Sequence, residues 1–366
     1  MGISFLVSLA AVMLALLSTK KNKSLGLEMS FVILTIFLSL RYGYGNDYFN
    51  YLELYDDYTN SNVGLFDFAH YGIMKSKEWG WIFINKLFKP FGFFSFIIFI
   101  TIVENFIIYR FVKKNVPPKY YWLAVFVYAF NPYLMVIGAS MMRQWLAICI
   151  FLLAFDYICK RKPIPYFLLI TLAIQFHASA FIMYPLYFLT YYDRIKMTWS
   201  KMSLIVLCLA IWYLLSATLL KYMAPLLLSV DEWTSYEDMF QDAEGASFGF
   251  GVLGSMILTL ASLSQIKYMN KNGVVATLDY SVVMLLAPMV MIVPMISRLN
   301  SYFLILSMIV FSLVTDILYK KNRVFAYMFL GMIILYLLRM WHGVFTSDIW
   351  SWSLQEYHTI FEVRWR

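Results

Sequence analysis

The sequence predicts an all-α polytopic membrane protein: one integral membrane domain over residues 1–366, with about ten transmembrane helices and a re-entrant helical hairpin near 165–190. Two observations carry that reading. First, 62% of the 366 residues are hydrophobic and only 14% charged, with a mean hydropathy of +0.70. A soluble globule carries about 25% charged residues, so this balance excludes an ordinary cytosolic enzyme and a nucleic-acid-binding chain despite the net charge of +8. Second, the apolar residues fall into runs of roughly 20, the length that crosses a bilayer as a helix.

Those runs lie near residues 2–18, 25–40, 92–112, 120–140, 143–159, 203–222, 249–266, 277–297, 299–319 and 324–341. The first lacks a basic segment ahead of it and is followed by Lys20, Lys21 and Lys23, so it reads as a retained span and not as a cleaved signal. Between the runs stand six basic clusters: Lys20/Lys21/Lys23, Arg110/Lys113/Lys114/Lys119, Lys160/Arg161/Lys162, Arg194/Lys196/Lys201, Lys267/Lys271 and Lys320/Lys321/Arg323. They hold 18 of the 29 Lys and Arg residues, and the positive-inside rule assigns them to the cytoplasm. The loops at 41–91 and 223–248 are acidic and fall on the other side, as do both termini.

Residues 165–190 have basic clusters at both ends, so both ends belong to the cytoplasm. A hairpin that enters, turns near Gln175-Phe176-His177-Ala178-Ser179 and returns satisfies the charge rule; a single tilted helix is the alternative, and it would place the 223–248 loop inside. The stretch WGWIFINKLFKP at 79–90 is too short to span and reads as an interfacial helix. The 223–248 loop, with Trp233 and Tyr236 among its acids, is a candidate lid or a plain solvated connection. Cys149, Cys159 and Cys208 sit in apolar runs as small hydrophobes, and His70, His177, His342 and His358 are too scattered for a metal site. No cofactor is expected.

The informative polar residues are those at span ends. Arg41, Arg143, Arg298 and the hairpin-tip His177 all face outward and belong to no basic cluster, so topology does not account for them. Arg143 and Arg298 each follow a candidate cap, Ser140 and Ser297, at a helix start where free amides and the dipole favour an anion. Arginine adds a planar bidentate donor, so two such ends together would clamp a diphosphate, with Arg41 third. Taken singly, each arginine could equally snorkel to headgroups or pair with a loop carboxylate. The segment RYGYGNDYFNY at 41–51 sets two glycines and four tyrosines beside Asp47. The glycines permit a tight turn, and Tyr48 and Tyr51, with Tyr302 of the SRLNSYF helix start, offer rings to sugar faces; interfacial tyrosine is also ordinary belt composition.

RYGYGNDYFNY, the Glu78-Trp79-Gly80-Trp81 stretch, MMRQWLAI, QFHASAF and SRLNSYF together resemble the EpsG/Wzy-type polysaccharide polymerases over about residues 35–305. The Arg-x-Gly-x-Gly-x-Asp-Tyr pattern is the most specific of these pieces. The resemblance implies a glycosyltransferase of the bacterial cytoplasmic membrane that joins oligosaccharide repeat units carried on undecaprenyl diphosphate, for O-antigen, capsule or exopolysaccharide. The growing chain passes to the non-reducing end of a new lipid-linked unit. Implied partners are those lipid-linked oligosaccharides, the bilayer, and a chain-length regulator and flippase of the same pathway.

Such a transfer needs charge stabilisation of the departing diphosphate, expected from Arg143, Arg298 and Arg41, and a base for the attacking hydroxyl. Asp47 leads as base, with His177 and Glu78 as competitors; Glu78 could instead pair with Lys75 or Lys77. Glu104, mid-span, reads as a protonated carboxyl inside the bundle. Two rival functions remain: a lipid-linked oligosaccharide flippase, disfavoured by the lack of an internal repeat, and an O-antigen-ligase-like transferase using the same chemistry on a different acceptor.

Overall fold

The computed structural model describes residues 2–17, 24–61, 64, 78–192, 198–228, 250–292, 296–348 and 350–362. Of the expected lid at 223–248, residues 229–248 lie outside the described residues, as do Lys20, Lys21, Lys23, His70, Lys75, Lys77, Arg194 and Lys196, while 223–228 end a helix. The described chain is helical apart from one two-residue strand pair, and it clusters into two compact units, 1–190 with 337–366 and 191–336.

Among the described residues four helices are long and apolar enough to cross a bilayer: Gly92–Asn115, Met142–Cys159, Arg298–Lys321 and Arg323–Phe345. The expected count of about ten is not confirmed among the described residues, and three of the expected spans show two physical reasons. The first two helices, α1 (Gly2–Leu16) and α2 (Leu25–Ser39), have 15 residues each, or about 22 Å at 1.5 Å per residue, less than the roughly 30 Å apolar core. The run at 120–140 is broken into α6 (Tyr121–Phe130) and α7 (Val136–Ser140). Asn131 precedes Pro132 and is extended, with φ −92° and ψ 106°, because a residue before proline is pushed out of the helical region.

In the first unit α1 packs on α2 and α6, and α2 packs on α5 (Gly92–Asn115). Next, α5 packs on α8 (Met142–Cys159), and α8 on α9 (Pro163–Ile174). Two shorter helices, α3 (Tyr48–Asn60) and α4 (Trp79–Leu87), pack on each other and on α5 through Tyr48, Tyr51, Tyr55, Trp81, Phe93 and Phe96. Residues 48, 51 and 55 of α3 recur at helical spacing, which puts these tyrosines on one buried face.

Residues 163–192 fold back on themselves. After α9 the chain turns at Gln175–His177 and continues as a 3-10 helix, Ala178–Tyr192. The arms are joined by Thr171 and Tyr184, whose hydroxyls stand 2.8 Å apart, by Tyr166 donating to the Met183 carbonyl, and by the Tyr166–Tyr187 ring pair at 5.4 Å.

The second unit holds α10 (Trp199–Leu228), α11 (Phe250–Ser264), α12 (Lys271–Ile292), α13 (Ile296–Leu304) and α14 (Ser307–Lys321). Leu209, Leu263, Ile266, Val274 and Met284 form its core, and the Trp212 indole donates to the Leu285 carbonyl at 2.8 Å. The helix α15 (Arg323–Phe345) follows, and then α16 (Ser351–Leu354) and the strand β2 (His358–Thr359), both in the first unit.

Candidate functional site

The segment that leaves α2 makes the first wall of the site. Arg41 and Tyr42 form the strand β1, paired antiparallel with β2 so that Arg41 faces Thr359 and Tyr42 faces His358. Arg41 is 1% exposed. Its guanidinium donates to the Leu38 carbonyl, to Thr101 Oγ1 at 3.1 Å and to the Ala139 carbonyl at 3.1 Å. The C-terminal carbonyls of α2 lack helical partners, and a cation directly after the helix satisfies one of them. Thus Arg41 ties α2 to α5 and to the chain just before α8, and its terminal nitrogens are turned into the protein.

Gly43 to Asp47 then turn the chain into α3. Gly45 has φ +108°, a backbone conformation that L side chains rarely adopt, and a Cβ there would stand 2.7 Å from Ser140 Cβ. That close approach lets the Asp47 amide donate to Ser140 Oγ at 3.2 Å. Ser140 therefore grips the turn and does not cap α8, whose N-terminal flank is Met141 with no side-chain cap. Ser297 likewise lies inside its helix, α13, and not ahead of it.

Arg143 is the second residue of α8 and forms an ion pair with Glu78, the residue before α4. Its guanidinium also lies over the Tyr51 ring, 5.6 Å from the centroid. The Glu78 carboxylate accepts a second hydrogen bond from the Ala178 amide at the fold-back turn. Burial holds the Glu78 carboxyl above its ordinary range, against the pull of Arg143, and burial likewise raises the Tyr51 hydroxyl, with Arg143 opposing it. The same turn is pressed on α4: the Trp81 amide donates to the Gln175 carbonyl at 3.3 Å, and a Cβ on Gly80 would meet Gln175 at 3.0 Å.

His177 stands in that turn. Its Nδ1 accepts the Ser179 amide at 3.3 Å and lies 2.6 Å from Ser179 Oγ. An Nδ1 that accepts a backbone N–H carries no proton, so the neutral ring holds its proton on Nε2 and acts there as a donor.

Four segments far apart in the chain thus converge at one end of the first unit: 41–51, 78–81, 139–143 and 175–179. Arg298 is exposed in α13 and belongs to the second unit, as does Tyr302. The expectation of open tyrosine faces for sugars meets a different arrangement: Tyr48 is 0% exposed, Tyr51 6% and Tyr302 0%. On α3 the reason is the helical spacing of the tyrosines, which turns them toward Phe93 and Trp81.

Sequence reasoning missed the C-terminal tail. Ser353 donates to Asn46, the Gly45 amide donates to the Ser353 carbonyl at 3.2 Å, and the Ile360 amide to the Leu40 carbonyl at 3.0 Å. Tyr357 stacks on Phe37 at 4.5 Å and donates to its carbonyl. A two-residue strand carries no periodicity that could announce it, so only the contacts reveal this clasp. Among the described residues no three His, Cys, Asp or Glu side chains gather as metal ligands.

The end that carries this site is distinct from the basic one. Along α5, Thr101 touches Arg41 whereas Lys113, 12 residues or about 18 Å further, pairs with Glu28 at 3.0 Å. Along α8, Arg143 is at the site, and Asp156 pairs with Lys114.

A model of the EpsG family matches residues 27–358. No curated protein and no solved structure matches the chain.

Proposed function

The chain belongs to the EpsG family, a multi-pass membrane protein with a polysaccharide-polymerase-like role, and from that premise we propose that it polymerises undecaprenyl-diphosphate-linked oligosaccharide repeat units on the extracytoplasmic face. The observation that carries the reading is the meeting of Arg143, Glu78, Tyr51 and the Asp47 turn at the end of the first unit away from its Lys/Arg clusters. Under the positive-inside rule, the basic end is cytoplasmic and the site end faces outward.

In the proposed reaction the bond between the donor sugar C1 and the diphosphate oxygen breaks, and a bond from the acceptor hydroxyl oxygen to C1 forms. The hydroxyl proton passes to Asp47, and the bonding electron pair leaves with the undecaprenyl diphosphate. Arg143 stabilises the charge on that leaving group. Glu78, engaged by Arg143 and by the Ala178 amide, serves better as the group that aims Arg143 than as a base. His177, protonated on Nε2 when neutral, serves as a donor to an anionic oxygen. Arg41, enclosed by Leu38, Thr101 and Ala139, supports the turn and leaves the diphosphate to Arg143.

The test is product length in cells lacking the native gene. Wild type restores long polymer, while correctly inserted Arg143→Ala leaves single lipid-linked repeat units on the outer face. Long unattached polymer in the deletion strain would instead indicate a ligase, and absence of any lipid-linked unit outside would indicate a flippase.

A further inference from the structure

The end of the first unit remote from the candidate site has a cleft that the polymerase reading does not use. It has a volume of about 590 Å³ and runs between α5 and α8. Its walls are Phe106, Leu152 and Leu153, and its rim carries Arg110, Lys114 and Asp156. Phe106 and Leu153 are exposed large hydrophobes, as a surface that meets lipid would be.

The rim charges are not equivalent. Lys114 is paired with Asp156, and Lys113, which also lines the cleft, is paired with Glu28 at 3.0 Å and with the Tyr109 hydroxyl at 2.6 Å. Arg110 lies over the Phe106 ring at 5.9 Å and, among the described residues, makes no ion pair. Thus a guanidinium with no ion pair among the described residues stands at the mouth of the slot, next to two ammonium groups. A second groove of about 330 Å³, walled by Phe31, Val32, Ile36 and Ile102, lies on the other side of the same Phe106–Tyr109 ridge.

We infer that the α5–α8 cleft binds an anionic membrane phospholipid, with its phosphate at Arg110 and its acyl chains along Phe106, Leu152 and Leu153. The match is of charge and of shape. A zwitterionic lipid offers the same chains but no net charge to the Arg110 guanidinium, and a soluble anion would leave the apolar walls bare. Each Lys or Arg near an anionic lipid surface strengthens binding by about fivefold.

The experiment uses the full-length protein in detergent, titrated with phosphatidylglycerol and with phosphatidylethanolamine of equal chain length, bound lipid being counted by native mass spectrometry. Wild type should retain phosphatidylglycerol in preference. Arg110→Gln should lower that preference about fivefold, and Asp156→Asn, which removes the rim carboxylate, should raise it. Both variants lie outside the candidate site, so helical circular dichroism and polymer length should match wild type. Equal retention of the two lipids by wild type, or a preference unmoved by both substitutions, overturns the inference. Displacement of phosphatidylglycerol by millimolar inorganic phosphate also overturns it, since the site would then be one for a soluble anion.

Discussion

Glu78 and Arg143, 65 residues apart in the chain, form an ion pair whose side chains are 17% and 32% exposed. The carboxylate also takes the Ala178 amide, so this one pair joins the start of α4, the start of α8 and the turn after α9. A guanidinium held in this way is already oriented, which is the condition for electrostatic stabilisation of a leaving group.

Loss of that group should act on turnover. Arg143→Ala is expected to lower kcat by about 10²- to 10³-fold, with the protein still inserted and helical. Glu78→Gln keeps a hydrogen-bond acceptor beside Arg143 and should cost less than about tenfold. Polymer formation from purified lipid-linked units gives both values, and a Glu78→Gln loss as large as that of Asp47→Asn would make Glu78 the base.

Asp47→Asn retains the backbone contact to Ser140 Oγ but removes the proton acceptor. Its kcat should fall by about 10²- to 10⁴-fold with KM little changed. His177→Asn, which replaces one donor by another, should be milder; if it proves the more damaging of the two, the assignment of base and donor is reversed.

Gly45→Ala places a Cβ at φ +108° against Ser140. The left-handed backbone alone costs about 1–2 kcal/mol, and the Ser140 contact adds to it. Thermal unfolding of the detergent-solubilised protein should show a lowered midpoint. Adding Ser140→Gly should recover part of the loss by removing the steric partner, while the backbone strain remains. A double variant no more stable than Gly45→Ala alone would mean that the contact is not tight.

The tail should respond to pH through His358. Glu362 and then Glu356 raise its pKa above the ordinary value of about 6.5, while His358 first among its partners lowers that of Glu362. A raised histidine pKa gives a contribution complete below the unfolded value and lost as pH rises through the folded one. A lowered glutamate pKa gives one present above its unfolded value of about 4.3 and lost as pH falls through the folded one. Protection of the Ile360 amide against hydrogen exchange should therefore be greatest between about pH 4.5 and 6.5 and decline above. His358→Gln should flatten that dependence, and an unchanged profile would show that the contacts of Tyr357 and Ser353 hold the tail alone.

Much of the site was legible in the one-dimensional pattern, because lone charges at the ends of apolar runs are too costly in a membrane to be casual. Arg143 and His177 stand out in that way, Asp47 and Glu78 through the motif segments that hold them, and the structure brings these segments together. Three features escaped it. Arg41, expected as a third diphosphate ligand at the end of the second span, is enclosed by Leu38, Thr101 and Ala139, whereas Arg143 opens α8 and meets Glu78. The tyrosines of α3 have the composition of a sugar platform, but their helical spacing turns them inward. Ser353 and Tyr357 lie in a short irregular tail where neither periodicity nor charge marks them.

The amino-acid sequence by itself determined that this is a helical membrane protein, which residues interrupt its apolar runs, and which of them carry charge. Apolar runs and basic clusters are local properties, set by the energy of single residues in lipid. Tertiary structure alone decided that Arg41 is enclosed while Arg143 is presented, that Glu78 pairs with Arg143, and that the tail closes on the glycine turn. Those outcomes depend on which distant segments meet, and the free energy of a charge is set by the partner it finds there.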